Sequence, residues 1–275
     1  MTVAVLQPLL RSERPEENAR ALAQALESLR RVCSEDPLWV VLPEYWSAAS
    51  APALWTESEE LRLLRGWARR LQIYLVGGSV LVRDEAGCLR NRAMVLDPEG
   101  ALLGFYDKRC LLTHERRRGV EPGGGPMRLS VGDWRLSVVI CADLWHPSLV
   151  PAEVDLLLVP AATVVLDRRR RAYARRLWRA LGLVRAQERL CVLASSDWAC
   201  SWDGRRGTAG ASLIADPSEG LGPVRWRALE RSLSGGRPGW LCKRLDRQRL
   251  EAFRAYRRER GLWPAPLLHE PSGDF

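Results

Sequence analysis

The chain has 275 residues, 47% of them hydrophobic and 27% charged, the balance of a soluble globular protein with enough length to build one large core. A net charge of +9, from 42 Lys and Arg against 33 Asp and Glu, speaks to solubility and loose association, and its Arg runs at 116–118 and 168–171 lack interleaved aromatics, so no specific nucleic-acid partner is expected. Seven scattered Cys without a CxxC pair, three His, and no apolar run of roughly 20 residues exclude a disulfide framework, a His-rich metal site and a membrane span.

Residues 2–6 predict a short strand, preceded by no basic leader, so a cytoplasmic location is expected. Residues 14–33 carry Ala19, Leu22, Ala25, Leu26, Leu29 and Val32 at helical spacing, with acids early and Arg late as the helix dipole prefers. A buried strand at 39–42 ends in Pro43, Glu44, Tyr45 and Trp46. A second helix opens at Thr56–Glu59 and runs to about Leu71, and residues 73–82 read as a strand holding Gly77 and Gly78, where another backbone or a ligand approaches closely.

Residues 91–96 and 101–106 predict a hairpin around the turn 97–100, followed by Lys108. Residues 113–125 are polar and rich in Gly and Pro, which predicts a loop containing Glu115. A strand at 127–131 and a turn at Gly132-Asp133 lead to LSVVICADLWHP, residues 136–147. Its continuous apolar run predicts a strand buried on both faces and ended by Cys141. Residues 155–160 predict another such strand, ending in Ala161, Ala162 and Thr163. One long basic helix over 168–189, strands at 190–195, 211–214 and 240–245, and a helix from Asp246 to about Arg258 complete the order. Early alternation of helices and strands with hairpins in the middle predicts a layered α/β sandwich with mixed sheets. One domain is expected over residues 1–258, with a Pro-rich C-terminal tail over 259–275.

Four groups, three at strand ends and one in the following loop, carry chemistry: Glu44, Lys108, Cys141 and Glu115. A thiol is mostly protonated near neutral pH and needs a base or a positive neighbour to act. A buried carboxylate can be that base, and an ammonium can steady both a thiolate and an oxyanion. Together they form a kit for acyl transfer from a carbonyl or nitrile. Taken singly, each has an ordinary structural use: a packed Cys, a turn-capping Glu44, a solvated Lys108, a Glu115 paired with Arg116–Arg118.

The ordered pieces LPEYW (42–46), NRAMVLDPEGALLGFYDKRCLL (91–112), VVICADLWHP (138–147), LLLVPAA (156–162), Trp178 with VRAQE ending at Glu188, and GASLIADP (210–217) resemble the nitrilase superfamily of carbon–nitrogen hydrolases. That resemblance implies an α-β-β-α sandwich, commonly dimerising through its outer helices, and therefore a homodimer or higher homo-oligomer. It implies Glu44 as general base, Cys141 as nucleophile, Lys108 as the cation at the tetrahedral centre, and Glu115 as the second glutamate. The Ala142 N–H would complete the oxyanion site. No metal or cofactor is implied. Trp46, Trp145, His146 and Thr163 are expected around the substrate, and core packing is the competing use of the tryptophans.

The sequence departs from the pattern in places. Ala142 follows the nucleophile where nitrilases typically show Trp-Glu, which argues for a linear amide over a nitrile. CADLWHP and YDKRCLL are most similar to the glutaminase domain of glutamine-dependent NAD synthetases, and a free-standing amidase is the simpler expectation. Arg189 replaces an Asn, and Ser196-Asp197 stands where Asn-Arg is usual, so the small-molecule amide itself is not specified. Acyl transfer to another amine, nitrile hydrolysis, and a catalytically silent binding module are the competing functions. A thiol-protease pairing of Cys141 with His146 is disfavoured, because such dyads bring the His from elsewhere in the chain.

Overall fold

A computed structural model describes residues 1–35, 37–47, 52–221 and 229–262. The chain begins with β1 (Thr2–Gln7), α1 (Pro15–Val32), β2 (Leu38–Val41), α2 (Glu59–Leu71), β3 (Tyr74–Val76), β4 (Val80–Arg83), β5 (Leu89–Leu96) and β6 (Leu102–Asp107). It continues with α3 (Thr113–Arg117), β7 (Leu129–Val131), β8 (Trp134–Val138), β9 (Leu156–Pro160), β10 (Val164–Val165) and α4 (Arg171–Arg189). The last elements are β11 (Val192–Ser196), β12 (Gly207–Thr208), β13 (Leu213–Ala215), β14 (Glu230–Ser232), β15 (Gly239–Arg244) and α5 (Arg247–Glu259).

Two large mixed sheets form. One has the order β15-β1-β2-β3-β5-β4 with β6 on β5, and the other β14-β13-β11-β9-β8-β7. β1, β2 and β3 are parallel, as are β8, β9 and β11. Strand alternation builds the layers. Val3 and Val5 of β1, with Trp39 and Val41 of β2, face the second sheet and share one core with Leu136, Val138 and Leu156–Val159. Ala4 and Leu6 point the other way and pack with Leu22, Leu26 and Leu29 of α1 and Leu61, Leu64 and Trp67 of α2. Trp178 and Ala186 of α4, and Leu250 of α5, cover the outer face of the second sheet. The result is the expected four-layer α-β-β-α sandwich. Every residue of β1 and β9 is buried because both faces are covered, which is why residues 3–6 and 156–160 read as continuous apolar runs.

Local chemistry sets the ends. Ser58 caps α2 by accepting from Leu61 N–H, and Asp246 caps α5 by accepting from Arg249 N–H. The turn at 97–100 closes with Asp97 accepting from Ala101 N–H at 2.7 Å. Among the described residues no helix is long and apolar enough to cross a membrane.

Three expectations differ from the structure. The single strand over 73–82 is two strands, because Gly78 adopts φ +66° and turns the chain between them. The loop after Lys108 begins with the short helix α3. Residues 168–170 form a tighter turn capped by Asp167 before α4 starts. The short strands β10, β12 and β14 carry no alternation that a sequence pattern could show. Of the C-terminal tail, residues 263–275 lie outside the described residues.

Candidate active site

Glu44, Lys108 and Cys141 each follow a strand of one of the two facing sheets. Glu44 stands three residues past β2, and its N–H donates to Ala161 O at 3.1 Å. Its carbonyl accepts from Trp198 Nε1 at 2.6 Å. Lys108 directly follows β6, pinned by its N–H on Asn91 O at 2.9 Å. Cys141 lies beyond β8 at the first position of a tight helical turn, residues 141–145, with φ +45°. A non-glycine residue rarely holds that conformation, and here the surrounding hydrogen bonds impose it. Asp143 supplies them: its buried carboxylate accepts from Ile140 N–H (3.0 Å), Arg109 N–H (3.2 Å), Cys110 N–H (2.6 Å) and Tyr106 Oη (2.9 Å). One side chain thus ties the nucleophile turn to the turn just after Lys108.

These strand ends converge. Lys108 Nζ donates to Glu44 Oε1 at 2.8 Å and to Glu115 at 2.9 and 3.0 Å. The Cys141 thiol donates to Ala162 O at 4.0 Å and lies near enough to the Glu44 carboxylate for that charge to act on it. Asn91 Nδ2 donates to both Glu44 Oε1 (2.9 Å) and Glu115 Oε1 (3.0 Å). Two carboxylate neighbours dictate that the nitrogen, not the oxygen, of this amide faces them. Tyr45 Oη donates to Glu115 Oε1 at 2.5 Å, and Leu112 N–H to Glu115 Oε2 at 2.8 Å. The last bond also starts α3, so the helix and the site share one carboxylate. Glu44, Lys108, Glu115 and Cys141 are all buried.

The environments push the acids apart. Burial raises the Glu44 carboxyl above its usual range, the Glu115 charge adds to this, and Lys108 only partly offsets it. Burial alone would raise Glu115 too, but Lys108, the Tyr45 hydroxyl and Leu112 N–H outweigh it and hold that carboxyl low. Burial alone would weaken the Lys108 cation, yet Glu44, Cys141 and Glu115 hold it firmly protonated. Burial pushes the Cys141 thiol well up, and the Glu44 charge adds to that. A proton-hungry Glu44 beside a neutral thiol, with a permanently charged Glu115–Lys108 pair alongside, is a division between base and electrostatic partner. Ala142, second in its turn, has an N–H that no carbonyl of that turn can take, so it is available to an oxyanion.

A cleft of about 1290 Å³ opens beside the site, with Tyr45, Glu115, Ala162 and Trp198 on its wall and Glu44, Lys108 and Cys141 not among its lining. Residues 9–15, His114, Arg118 and residues 201–203 and 206–208 form other parts of its wall. The expected pocket residues divide. Ala142 is buried beside Cys141. Thr163 turns its N–H and hydroxyl onto the Asp197 carboxylate. Trp46 is buried in the helix-facing core, its Nε1 on Gly77 O at 2.8 Å. Trp145 and His146 are exposed and do not line the cleft. Among the described residues no cluster of three or more His, Cys, Asp or Glu is placed to hold a metal ion.

A profile of carbon–nitrogen hydrolases matches residues 2–218. The chain belongs to the carbon–nitrogen hydrolase family. Solved structures of the nitrilase superfamily share its fold. A CN-hydrolase superfamily protein from Xanthomonas campestris, with an arsenic adduct in its active site, is 23% identical at a TM-score of 0.78, covering 98% of this chain and 99% of that one. Nit3 of Saccharomyces cerevisiae is 19% identical at 0.77, covering 99% and 97%. An amidase from Nesterenkonia sp. AN1, seen with acrylamide added to its active-site cysteine, is 24% identical at 0.69, covering 95% and 100%. A search of curated proteins found no match.

Within this family member, Asn91, Tyr45, Asp143 and Trp198 are site residues that reasoning from sequence passed over. Asn91 and Asp143 stand inside motifs already singled out, and Tyr45 adjoins Glu44. Their signal was position in a motif; their role needed the cross-segment contacts.

Proposed function

We propose that this carbon–nitrogen hydrolase cleaves a small linear amide through a thioester on Cys141. Glu44 takes the thiol proton as sulfur attacks the carbonyl carbon. Lys108 and the Ala142 N–H stabilise the oxyanion. Glu44 returns the proton to the leaving nitrogen, and ammonia or an amine departs. A water activated by Glu44 then attacks the thioester, releasing the acid and restoring the thiol. The observation that carries this proposal is the buried contact set in which Lys108 bridges Glu44 and Glu115, with the buried Cys141 thiol within reach of the Glu44 charge. Ammonia release from a panel of short amides and nitriles tests it. Cys141→Ala is expected to abolish release with the fold intact; release retained by that variant, or release from nitriles alone, contradicts it.

A homodimer is proposed with it. Tyr173, Leu177 and Val184 lie on one exposed face of α4, and three large apolar side chains on one stripe favour burial against a second copy. Light scattering of the purified chain checks this, and a monomer at micromolar concentration contradicts it.

A further inference from the structure

Asp197 is a buried carboxylate that the mechanism above does not use. It belongs to the Ser196-Asp197 pair, one of the places where the sequence departs from the family's usual pattern, and it directly follows β11. Its side chain is wholly enclosed. Oδ1 accepts from Thr163 N–H and from Trp198 N–H, each at 2.9 Å. Oδ2 accepts from Ala211 N–H at 2.8 Å and from the Thr163 hydroxyl. All four donors are neutral. The Arg179 guanidinium of α4 feels the charge, but it is committed to Leu233 O at 2.6 Å and to Glu230 at 3.8 Å. Burial outweighs the donors and pushes the carboxyl up to about 6. A carboxyl that binds its proton more tightly folded than unfolded makes the fold less stable as pH rises from about 4 to about 6. At neutral pH the ionised group therefore opposes folding, and stability does not account for it.

The segments it ties together are those that touch the reacting groups. Thr163 ends the stretch in which Ala161 O accepts the Glu44 N–H at 3.1 Å and Ala162 O faces the Cys141 thiol at 4.0 Å. Trp198 donates its indole N–H to Glu44 O at 2.6 Å. Both backbone polar groups of Glu44, and the carbonyl facing the thiol, are thus held within two residues of a donor to Asp197. We propose that Asp197 is a positioning residue of the reaction: by clamping Thr163 and Trp198 to one carboxylate, it fixes the Glu44 backbone and the Ala162 carbonyl against Cys141, so that base and thiol stay aligned. The proposal rests on the amidase function above and adds a residue to its machinery.

Asp197→Ala and Asp197→Asn test this together with Trp198→Phe, which deletes the indole N–H on Glu44 O and keeps an aromatic ring there. The readout is alkylation of Cys141 by iodoacetamide, followed by the mass of the peptide carrying residues 136–147, which needs no turnover. Asp197→Ala is expected to slow it by roughly tenfold or more, since a shift of about 1 Å in a reacting pair costs on the order of a hundredfold. Asp197→Asn keeps the volume and carries the test if the Ala variant does not fold. Whichever way its amide sits, the NH2 meets a fixed backbone N–H, and a slowing of about threefold or more is expected. Adding Trp198→Phe to Asp197→Asn should cost less than the product of the two single losses, because both act on Glu44. With a cleaved amide, kcat should fall in step with alkylation. A carboxylate with a merely structural role gives the opposite sign, because loosening a buried site exposes the thiol and quickens its alkylation. Unchanged or faster alkylation in the folded Asp197 variants, fully multiplicative losses with Trp198→Phe, or a loss confined to KM overturns the proposal. Slowed alkylation in a protein that releases no ammonia from any amide upholds the clamp and removes only the amidase function.

Discussion

Replacing Glu115 by Gln removes one negative charge from a buried group of two carboxylates and one ammonium while nearly preserving its shape. The facing oxygens of Glu44 and Glu115 both contact Lys108 Nζ and Asn91 Nδ2, so they stand on the order of 5 Å apart, and at an effective dielectric of about 20 their repulsion is about 3 kcal/mol. That repulsion is one cause of the raised Glu44 carboxyl. Its loss lowers the proton affinity of Glu44, and Lys108, now with one anion to serve, lowers it further. Solvent that enters the altered site screens part of this, and a downward shift of the Glu44 carboxyl is expected. The assay is the rate of Cys141 alkylation by iodoacetamide against pH, because thiol ionisation here needs an unprotonated Glu44. The acid limb should move to lower pH, and the plateau should fall several-fold because the base is weaker. A limb that stays in place or moves up would refute the electrostatic division between the two carboxylates. The variant should also lose up to about 3 kcal/mol of stability: Lys108 keeps Glu44, but the amide offers one acceptor oxygen where Tyr45 and Leu112 N–H each used a separate carboxylate oxygen.

Asp143→Asn puts an amide nitrogen among four donors, so the clamp between the Cys141 turn and the Lys108 turn loosens. Cys141 alkylation should slow by at least about tenfold, and urea denaturation should show a loss of about 2–4 kcal/mol. Asp155→Asn unpairs Arg135, Arg247 and Arg254, which converge on that buried carboxylate; a loss of about 3–5 kcal/mol is expected in the same measurement. Although burial opposes it, Arg135 and Arg254 hold the Asp155 carboxyl down at about 2. Its stabilisation should therefore be complete above about pH 4 and vanish as pH falls through about 2, so acid unfolding in that window should be less steep in the Asn variant. Gly78→Ala places a Cβ 2.2 Å from Pro43 O at a φ of +66°; it should destabilise by about 1–3 kcal/mol and, by moving the Pro43-Glu44 peptide, slow Cys141 alkylation.

The four layers were legible because strands covered on both faces must be apolar through their middle, as VAVL of β1 and LLLVP of β9 are. The first polar group after the β2 run, Glu44, then marks where that sheet opens. Assigning Cys141 its place also leaned on the order of the motifs, since a buried thiol at a strand end is otherwise unremarked. What stayed hidden depends on contacts between distant segments. Nothing near Asn91 in sequence shows that its amide bridges two carboxylates 47 and 24 residues away. α3 has five residues and no periodicity, because the Glu115 side chain rather than an apolar stripe starts it. The break in the 73–82 strand is written in Gly78, yet glycine alone does not say that the Pro43 carbonyl fills the space a side chain would need. Thr163 and Trp46 were placed by neighbourhood in sequence, and each is occupied elsewhere, by Asp197 and by the Gly77 carbonyl.

The most direct test is to quench the protein with acid during turnover of a cleaved amide and weigh the peptide that carries residues 136–147. The account predicts a mass increase equal to the acyl group, located on Cys141, that is absent in Cys141→Ala. Turnover with no acyl group on that sulfur, or with one on any of the other six cysteines, would contradict it.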